Sequence, residues 1–425
     1  MVQMLEFPGF IDVHVHFRDP GVPEAETTKS GLVAAANGGF AAVVTMPNTS
    51  PACDSPDAIH RQLEIAESSC SGTLLFPSAC ITKGRLGREV ADLEALAEAG
   101  AAFFTDDGSY VADDKVMEAA MTRAANLNMC VCDHAMDPSI LAGGVIRDCA
   151  LAQKFSLPVV SPETEIVAIR RDISLCRETG CRLHIQHIST AVGVELVRNA
   201  QREGLPVTAE ATPHHLLLSC DSLVADDANF KMAPPLGNNE DRAELRRVVK
   251  DGVIMFATDH APHPAATKNR GFIASANGII GLETAIAITY AVMVEEEGMP
   301  VVDWAKAWSE MPRGLFPAHL RDRLAHLEPT SIVVGERRKV SVSDFSSLSR
   351  NCPYDGMVFD CWPKEVECWI LNFSTRLPDI FPTYASRLLL ILVCCLAAAG
   401  VSRYRLTRSL FAYLIRTYQG WAPQR

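Results

Sequence analysis

The run GFIDVHVH at residues 9–16 is the first of eight similar short apolar runs, and their recurrence decides the fold. Most of these runs end in, or are followed by, His, Asp or Asn side chains. Runs of this length and composition are typical of β-strands. Eight of them occupy residues 9–16, 41–46, 73–81, 101–105, 129–132, 182–187, 206–211 and 253–258. Most of the stretches between them carry apolar residues three and four apart, which is the spacing of an amphipathic helix.

Five of the intervening stretches predict helices, at residues 55–67, 90–99, 114–128, 163–178 and 191–203. Several begin with helix-start signals, namely Ser55 before Pro56, Ser161 before Pro162, and Asp113 or Asp114. Strands that alternate with helices pair in parallel through right-handed crossovers. Eight such units in about 250 residues predict an α/β fold of the (β/α)8 TIM-barrel type. An open doubly wound sheet is the alternative, but no glycine-rich nucleotide motif follows the first run.

The regions outside the barrel predict three further segments. Residues 1–8 form a short, truncated N-terminal β segment, residues 9–330 the barrel, and residues 331–370 a C-terminal β segment with short strands at 331–334 and 339–342. The two β segments together would make a residual small β-sandwich. Residues 371–425 form a divergent tail with seven Arg and one acid, and its fourteen-residue apolar run is short of the roughly 20 residues that span a bilayer. A buried helix, a surface-lying amphipathic segment and non-native readthrough sequence are the three alternatives for this run, and we expect a poorly integrated appendage without membrane contact.

Charge and cysteine content narrow the class of protein. The net charge of the 425 residues is −12, and residues 1–370 alone hold 50 acids against 32 bases. Such an acidic body is a poor nucleic-acid binder, so we expect small-molecule or protein partners. The 14 Cys contain no CxxC pair and predict buried free thiols. Because no signal peptide is visible at the N-terminus, we expect a cytoplasmic protein.

Polar side chains gather at the ends of the predicted strands, which is where barrel enzymes carry their active sites. They are His14, His16, Asn48, Asp106, Asp107, His134, His187, His214, His215, Asp259, His260 and His263. His14 and His16 lie two residues apart on a strand and therefore face the same side, as two ligands of one Zn²⁺ would.

Other candidate ligands each have a competing structural explanation. Asp259 could ligate a metal and move a proton, or it could simply cap a helix. Asp107 precedes Gly108, a common turn pair. His184 and His187 point to opposite faces of one strand, so we expect His187 at the site and His184 to be packed or supporting. Together, histidines and aspartates from five strands predict a hydrolytic centre with one or two divalent ions.

Two further residues point to an acidic substrate. Arg18 offers a planar, permanently charged fork that suits a carboxylate, and Asn48 can add a hydrogen bond. The residues alone thus predict a substrate with an acid group near a hydrolysable amide.

The motifs themselves resemble a known family. GFIDVHVHFRDPG at residues 9–21 is similar to the signature of the cyclic amidohydrolases, and of bacterial class I dihydroorotases in particular. Further similar blocks are MPNT at 46–49, TDDG at 105–108, EATPHH at 210–215, ATDHAPH at 257–263 and NGIIGLE at 277–283. The likeness extends over residues 9–365 and implies the reversible interconversion of dihydroorotate and N-carbamoyl-aspartate in pyrimidine (UMP) synthesis.

The resemblance also implies roles for individual residues. It makes His14 and His16 ligands of one zinc, His134 and His187 ligands of a second, and Asp259 both a ligand and the proton shuttle. Related enzymes bridge the metals with a carboxylated lysine, and Asp107 stands at that place here. The implied contacts to the substrate carboxylate are Arg18, Asn48 and His263.

The chain departs from the family pattern in two places, and alternatives remain. The block APPLG at 233–237 has Ala233 and Gly237 where the family has Asn and Arg, and only eight residues precede the first barrel strand. A hydantoinase or allantoinase is one alternative. Another is an inactive dihydroorotase-like scaffold for aspartate transcarbamoylase. We also expect a homo-oligomer.

Overall fold

The strands of this computed structural model, which describes residues 2–69 and 71–364, fall into three sheets. They are β1 (Gln3–Phe7), β2 (Phe10–Val15), β3 (Phe40–Thr45), β4 (Leu74–Pro77), β5 (Cys130–Asp133), β6 (Arg182–Ile185), β7 (Val207–Ala211), β8 (Met255–Phe256), β9 (Thr330–Lys339) and β10 (Val358–Pro363). The predicted tail at 371–425 lies outside the described residues.

Helices follow most of the strands. They are α1 (Thr28–Asn37), α2 (Pro56–Glu67), α3 (Leu93–Glu98), α4 (Asp114–Asn126), α5 (Pro138–Leu141), α6 (Ala150–Phe155), α7 (Glu163–Thr179), α8 (Ala191–Arg202), α9 (Pro213–Leu217), α10 (Asn239–Lys250), α11 (Ala265–Lys268), α12 (Gly271–Ala274), α13 (Ala285–Thr289), α14 (Val301–Trp308), α15 (Glu310–Arg313) and α16 (Ala318–Leu324). A π-helical turn, Tyr290–Glu296, continues α13, and short 3₁₀ turns occur in the loops.

The five helices expected from the sequence are confirmed to within a few residues. The side chain of Ser55 caps α2 by accepting from the backbone N–H of Ala58, and Asp113 caps α4 in the same way. Helix α7 begins after Pro162, as its start signal indicates.

Parallel pairing dominates the sheets that carry the site. One parallel sheet has the order β2–β3–β4 and another the order β5–β6–β7–β8. Single parallel bridges connect Ala79 to Phe104 and Phe104 to Val131, and another connects Val15 to His260. The expected α/β class with parallel strands is therefore confirmed.

Two strand expectations are wrong in detail. At residues 101–105 the described chain forms no full strand, and only Phe104 makes bridges, one to Ala79 and one to Val131. At the C-terminal end, β9 is one continuous ten-residue strand, Thr330–Lys339, and Val342 begins a 3₁₀ turn instead of ending a second strand. Strand β9 is long because it pairs on both sides, antiparallel to β1 and to β10.

The core consists of two groups of buried apolar side chains. The larger group joins strands to helices, with Val43 of β3 and Ile59 of α2 as examples. The smaller group contains residues of β2, β3, β5 and β8 together with Phe316 and Leu320. Because β2 contributes Phe10 to the first group and Ile11 to the second, its two faces are both buried, as expected for a parallel sheet between two layers.

The described cysteines, ten in number, are all free and buried, which confirms the expectation of buried thiols. Among the described residues, no helix is both long enough and apolar enough to cross a membrane.

Candidate active site

The nine residues that the family resemblance assigns to the metals or to the substrate come together at one cavity of about 370 Å³. Eight of them line it, namely His16, Arg18, Asn48, Asp107, His134, His187, Asp259 and His263. The ninth, His14, is fully buried and contacts Asp107 and Asp259. The residues lie at or just beyond the carboxyl ends of their strands, since parallel strands bring those ends to one side.

His14, His16 and two carboxylates form the centre of the cluster. Nε2 of His14 lies 3.3 Å from Oδ1 of Asp107 and 3.5 Å from Oδ1 of Asp259. Nε2 of His16 lies 3.0 Å from Oδ1 of Asp259 and 3.3 Å from Oδ2 of Asp107. Both imidazoles therefore face the same two carboxylates, in agreement with their spacing along β2.

The other two expected metal ligands, His134 and His187, also lie near Asp107. Nδ1 of His134 lies 3.6 Å and Nε2 of His187 3.7 Å from Oδ1 of Asp107, and these two nitrogens are 2.8 Å apart. His187 and Asp259 both have positive φ angles, 33° and 48°. Non-glycine residues adopt this conformation at a cost, and such strain is concentrated at functional sites.

Electrostatics keep the carboxylates of the cluster charged. Burial alone would raise the pKa of Asp259, but the imidazoles of His14 and His16 hold it below its usual range. The same histidines hold the pKa of Asp107 well below its usual range despite complete burial. Burial lowers the pKa of His16. The site thus combines anionic oxygens with imidazole nitrogens that can act as ligands.

Asp106, the neighbour of Asp107, has a different environment. Its carboxylate accepts hydrogen bonds from the backbone N–H and the hydroxyl of Thr82. Arg85 donates to the backbone carbonyl of Asp107 at 2.5 Å and to Ser109 Oγ at 3.0 Å. The loop after the Phe104 bridge is therefore held so that Asp107, and not Asp106, meets the histidines.

The three expected substrate contacts stand at the rim of the cluster. Nε of Arg18 donates to the carbonyl of Pro262 at 3.2 Å, and burial lowers the pKa of this guanidinium to about 10, which leaves it charged at neutral pH. Oδ1 of Asn48 accepts from Nδ1 of His16 at 3.0 Å. Nε2 of His263 donates to the carbonyl of Asn277 at 2.7 Å.

Ala233 and Gly237, the two departures from the family pattern in the block at residues 233–237, differ in their position relative to the cavity. Ala233 lines the cavity. Gly237 instead packs against Asp241 and Ser189, where an added Cβ would come within 2.6 Å of Asp241 Cβ and 2.9 Å of Ser189 O. Only the departure at Ala233 therefore changes the cavity wall.

Sequence reasoning gave Glu210 no role, although it is buried and contacts the cluster. Oε1 of Glu210 lies 2.5 Å from Nδ1 of His14, and Oε2 lies 3.0 Å from Nε2 of His184. Asp12, the nearer carboxylate in sequence, accepts from the backbone N–H and the hydroxyl of Thr258, and its hydrogen bond with His14 is to the backbone N–H. Two signals were available, a glutamate within a mostly apolar predicted strand and its place at the start of the EATPHH block.

The residues present fit a divalent metal. Two donor groups have their ligand atoms within 4.8 Å of one another, His14 with His16 and Asp259, and His14 with Asp107 and His187. Within the described chain, three buried atoms of these groups have no hydrogen-bond partner, namely His14 Nε2, Asp107 Oδ1 and His187 Nδ1. Buried polar atoms are rarely left unpaired, and imidazole with carboxylate is a donor set that zinc and similar ions accept.

Comparison with known proteins agrees with this geometry. A family model described as Dihydro-orotase-like matches residues 3–192. A dihydroorotase from Bacillus caldolyticus is 42% identical over 364 residues, and the match covers 84% of each chain. Among solved structures, the L-hydantoinase (dihydropyrimidinase) from Arthrobacter aurescens matches with a TM-score of 0.73 at 25% identity, over 84% of this chain and 82% of that one. A dihydroorotase from Saccharomyces cerevisiae in complex with 5-fluoroorotic acid matches in fold, with a TM-score of 0.68 at 16% identity, over 85% of this chain and 99% of that one.

The parallel α/β fold and the histidine–carboxylate cluster define the class as the cyclic amidohydrolases, enzymes that depend on a metal. Within that class, the 42% identity to the Bacillus caldolyticus dihydroorotase over 84% of this chain shows the family. The chain belongs to the dihydroorotase family.

Proposed function

We propose that the protein is a dihydroorotase, which interconverts (S)-dihydroorotate and N-carbamoyl-L-aspartate in de novo pyrimidine synthesis. The observation that carries the proposal is a single cavity in which four histidines and two aspartates stand beside the guanidinium of Arg18. A hydantoinase-type reading is less well supported, because Asp107 occupies the place of the bridging lysine and because Arg18 with Asn48 suits a substrate carboxylate.

The architecture that goes with this function is a closed (β/α)8 barrel at residues 9–330. Its support is the run of parallel pairings from β2 to β4, the bridges at Phe104, the pairings from β5 to β8, and the bridge from His260 back to Val15. The antiparallel sheet β1–β9–β10 would correspond to the small β-sandwich expected from the two terminal β segments, of which residues 2–8 and 331–364 are described.

The metal in this proposal is zinc, with one or two ions per subunit. His14, His16 and Asp259 would hold one ion, and Asp107, His134 and His187 the other. When bound, zinc polarises a carbonyl and lowers the pKa of water, which is the chemistry that amide hydrolysis requires.

Asp259 moves the proton in both directions. In hydrolysis, its carboxylate takes a proton from the attacking water and delivers it to the ring nitrogen as the C–N bond breaks. In ring closure, it takes that proton from the nitrogen and returns it to the departing water. Because the neighbouring histidines keep the pKa of Asp259 low, it begins hydrolysis as the base.

Arg18, Asn48 and His263 bind the substrate carboxylate. Arg18 supplies the permanent charge. His263 donates from Nε2 to the carbonyl of Asn277, and burial lowers its pKa to about 3, so it stands beside the substrate carboxylate as a neutral imidazole. The substrate is a small molecule, and we place the protein in the cytoplasm as a homo-oligomer.

The test is a spectrophotometric assay of the full-length protein with dihydroorotate and with carbamoyl-aspartate, on samples of measured zinc content. We expect turnover in both directions, and a loss of about 10²–10⁴-fold in Asp259→Asn at the same fold stability. The matched control is Asp303→Asn on the exposed surface, which should leave turnover unchanged.

Each contrary result is informative. Near-normal turnover in Asp259→Asn would remove its role as proton carrier. A metal-loaded wild type that hydrolyses hydantoins but not dihydroorotate would favour the hydantoinase reading. A wild type with neither zinc nor turnover would favour an inactive scaffold that holds aspartate transcarbamoylase.

A further inference from the structure

Glu210 is a buried carboxylate at the meeting point of three strands. It lies on β7, only 1% exposed, and its side chain reaches residues of β2 and β6. Within the described residues, the hydrogen bonds of the Glu210 side chain are all with histidines. Oε1 lies 2.5 Å from Nδ1 of His14 and accepts the backbone N–H of His187 at 3.2 Å, while Oε2 lies 3.0 Å from Nε2 of His184.

Strand register explains why Glu210 faces His184. His184 of β6 pairs with Thr208 of β7, and its Nδ1 lies 2.8 Å from Thr208 Oγ1. Glu210 lies two residues beyond Thr208, so its side chain leaves β7 on the same face. The two β7 side chains thus hold His184 from both ring nitrogens, and the remaining oxygen of Glu210 is directed to His14.

The contact with Glu210 determines which nitrogen of His14 is free. An ionised carboxylate only accepts hydrogen bonds, so Nδ1 of His14 must be the donor. The amide nitrogen of Gln186 lies 3.3 Å from Nδ1, but it too is a donor and so makes no hydrogen bond to a protonated Nδ1. When His14 is neutral, as it must be to bind a metal, its lone pair lies on Nε2, the buried atom that faces Asp107 and Asp259 and has no hydrogen-bond partner in the described chain.

We infer that Glu210 is a positioning residue for the metal centre. It fixes the tautomer and the ring orientation of His14, and through the backbone N–H of His187 it also fixes the position of a second ligand histidine. Carboxylates that orient ligand histidines in this way raise metal affinity, and their loss costs about 10–100-fold. The inference rests on the proposed function only in that it requires His14 to be a metal ligand, whatever the substrate.

The experiment measures metal affinity without substrate. Metal-free full-length wild type and Glu210→Gln are titrated with Zn²⁺ against a chromophoric chelator of known affinity, and their folding is compared by thermal unfolding of the metal-free forms. We expect the Kd for Zn²⁺ to rise about 10–100-fold in Glu210→Gln. Turnover lost at limiting Zn²⁺ should return at excess Zn²⁺, with little change in KM.

A matched control is available in Glu165 of α7. It is also buried, at 4% exposure, and its carboxylate accepts from the backbone N–H and hydroxyl groups of Ser189 and Thr190. It contacts none of the candidate ligand side chains in the described structure. Glu165→Gln should lower the unfolding temperature yet change the Kd for Zn²⁺ by less than about 3-fold.

The outcomes separate clearly. A folded Glu210→Gln with wild-type affinity for Zn²⁺, or an equal loss of affinity in Glu165→Gln, would overturn the inference. If Glu210→Gln does not fold, Glu210→Asp keeps the charge but shortens its reach, and an unchanged Kd in that variant would overturn the inference equally. Absence of dihydroorotate turnover in a wild type that binds Zn²⁺ would instead count only against the proposed substrate.

Discussion

Arg18 is the residue whose chemistry most directly selects the substrate. Its guanidinium remains charged although partly buried, whereas a lysine in the same place would offer one point charge and no planar fork. We expect Arg18→Lys to raise KM for dihydroorotate and for carbamoyl-aspartate by about 10–100-fold, the value of one or two charge-assisted hydrogen bonds.

The control substrate for Arg18→Lys is dihydrouracil, which lacks the carboxylate. Its kcat/KM should change much less in the variant than that of dihydroorotate. Equal losses for both substrates would assign Arg18 a structural role and separate it from substrate recognition.

Glu283 makes stability depend on pH. Burial raises its pKa to about 7, although the backbone N–H groups of Ser346 and Ser347 donate to its two oxygens. Between pH 4.5 and 7 the folded chain therefore holds a proton that the unfolded chain has released, so the contribution of this group to stability falls as pH rises through that range. The change amounts to about 3 kcal/mol at most.

Urea unfolding at pH 5 and pH 8 tests this dependence in wild type and Glu283→Gln. Because the other titrating groups are common to both proteins, the difference in unfolding free energy isolates Glu283. We expect wild type to lose stability relative to the variant between the two pH values. A difference that is the same at both would refute the assignment.

At the scale of elements, packing against helix α1 outweighs the higher helix propensity of alanine relative to glycine at Gly31. Replacing a glycine by alanine within a helix normally gains about 1 kcal/mol. At Gly31, however, an added Cβ would lie 2.7 Å from Cζ of the buried Phe17 ring and still nearer to two other ring atoms. Overpacking of this kind costs about 1–3 kcal/mol, so we expect Gly31→Ala to destabilise the protein by about 1–2 kcal/mol.

Chemical denaturation of Gly31→Ala and of the double variant with Phe17→Leu checks this explanation. Since leucine is smaller, the double variant should be more stable than the sum of the two single losses. A stabilised Gly31→Ala would mean that α1 can shift away from Phe17 at little cost.

At the scale of the whole molecule, the antiparallel sheet leaves strand edges uncovered in the described part of the chain. Within residues 2–69 and 71–364, β1 and β10 each pair only with β9. Val2 and Met4 are both 61% exposed. Exposed apolar edges favour pairing with other chains, so we expect a light-scattering mass that grows with protein concentration.

Met4→Lys should reduce that growth, because a charged side chain on an edge strand opposes strand addition. Catalytic turnover should stay unchanged, since Met4 lies outside the cavity. A wild type that remains one defined species at high concentration, with a cooperative melt, would contradict the expectation.

The sequence predicts those structural features that depend on residues close together in the chain better than those that depend on contacts between distant segments. The spacing of apolar residues is a local property, and it correctly predicted helices such as α2 and α7. It failed at residues 101–105, where only Phe104 pairs with its neighbours, because the number of backbone pairings is a property of the assembled sheet. Similarly, the spacing placed His14 and His16 on one side of β2, because side-chain direction alternates along any strand.

By itself, the sequence predicted the α/β class and the alternation of strands with helices, and together with the family motifs it named the nine residues that meet at the cavity. Only the tertiary structure decided that Glu210, 196 residues from His14, contacts the imidazole of His14, whereas Asp12 bonds to Thr258 and to the backbone N–H of His14. The physical reason is that periodicity and motifs record which face of its own element a residue occupies. Which distant group completes its hydrogen bonds depends on strand register and burial, and these arise only when the strands assemble.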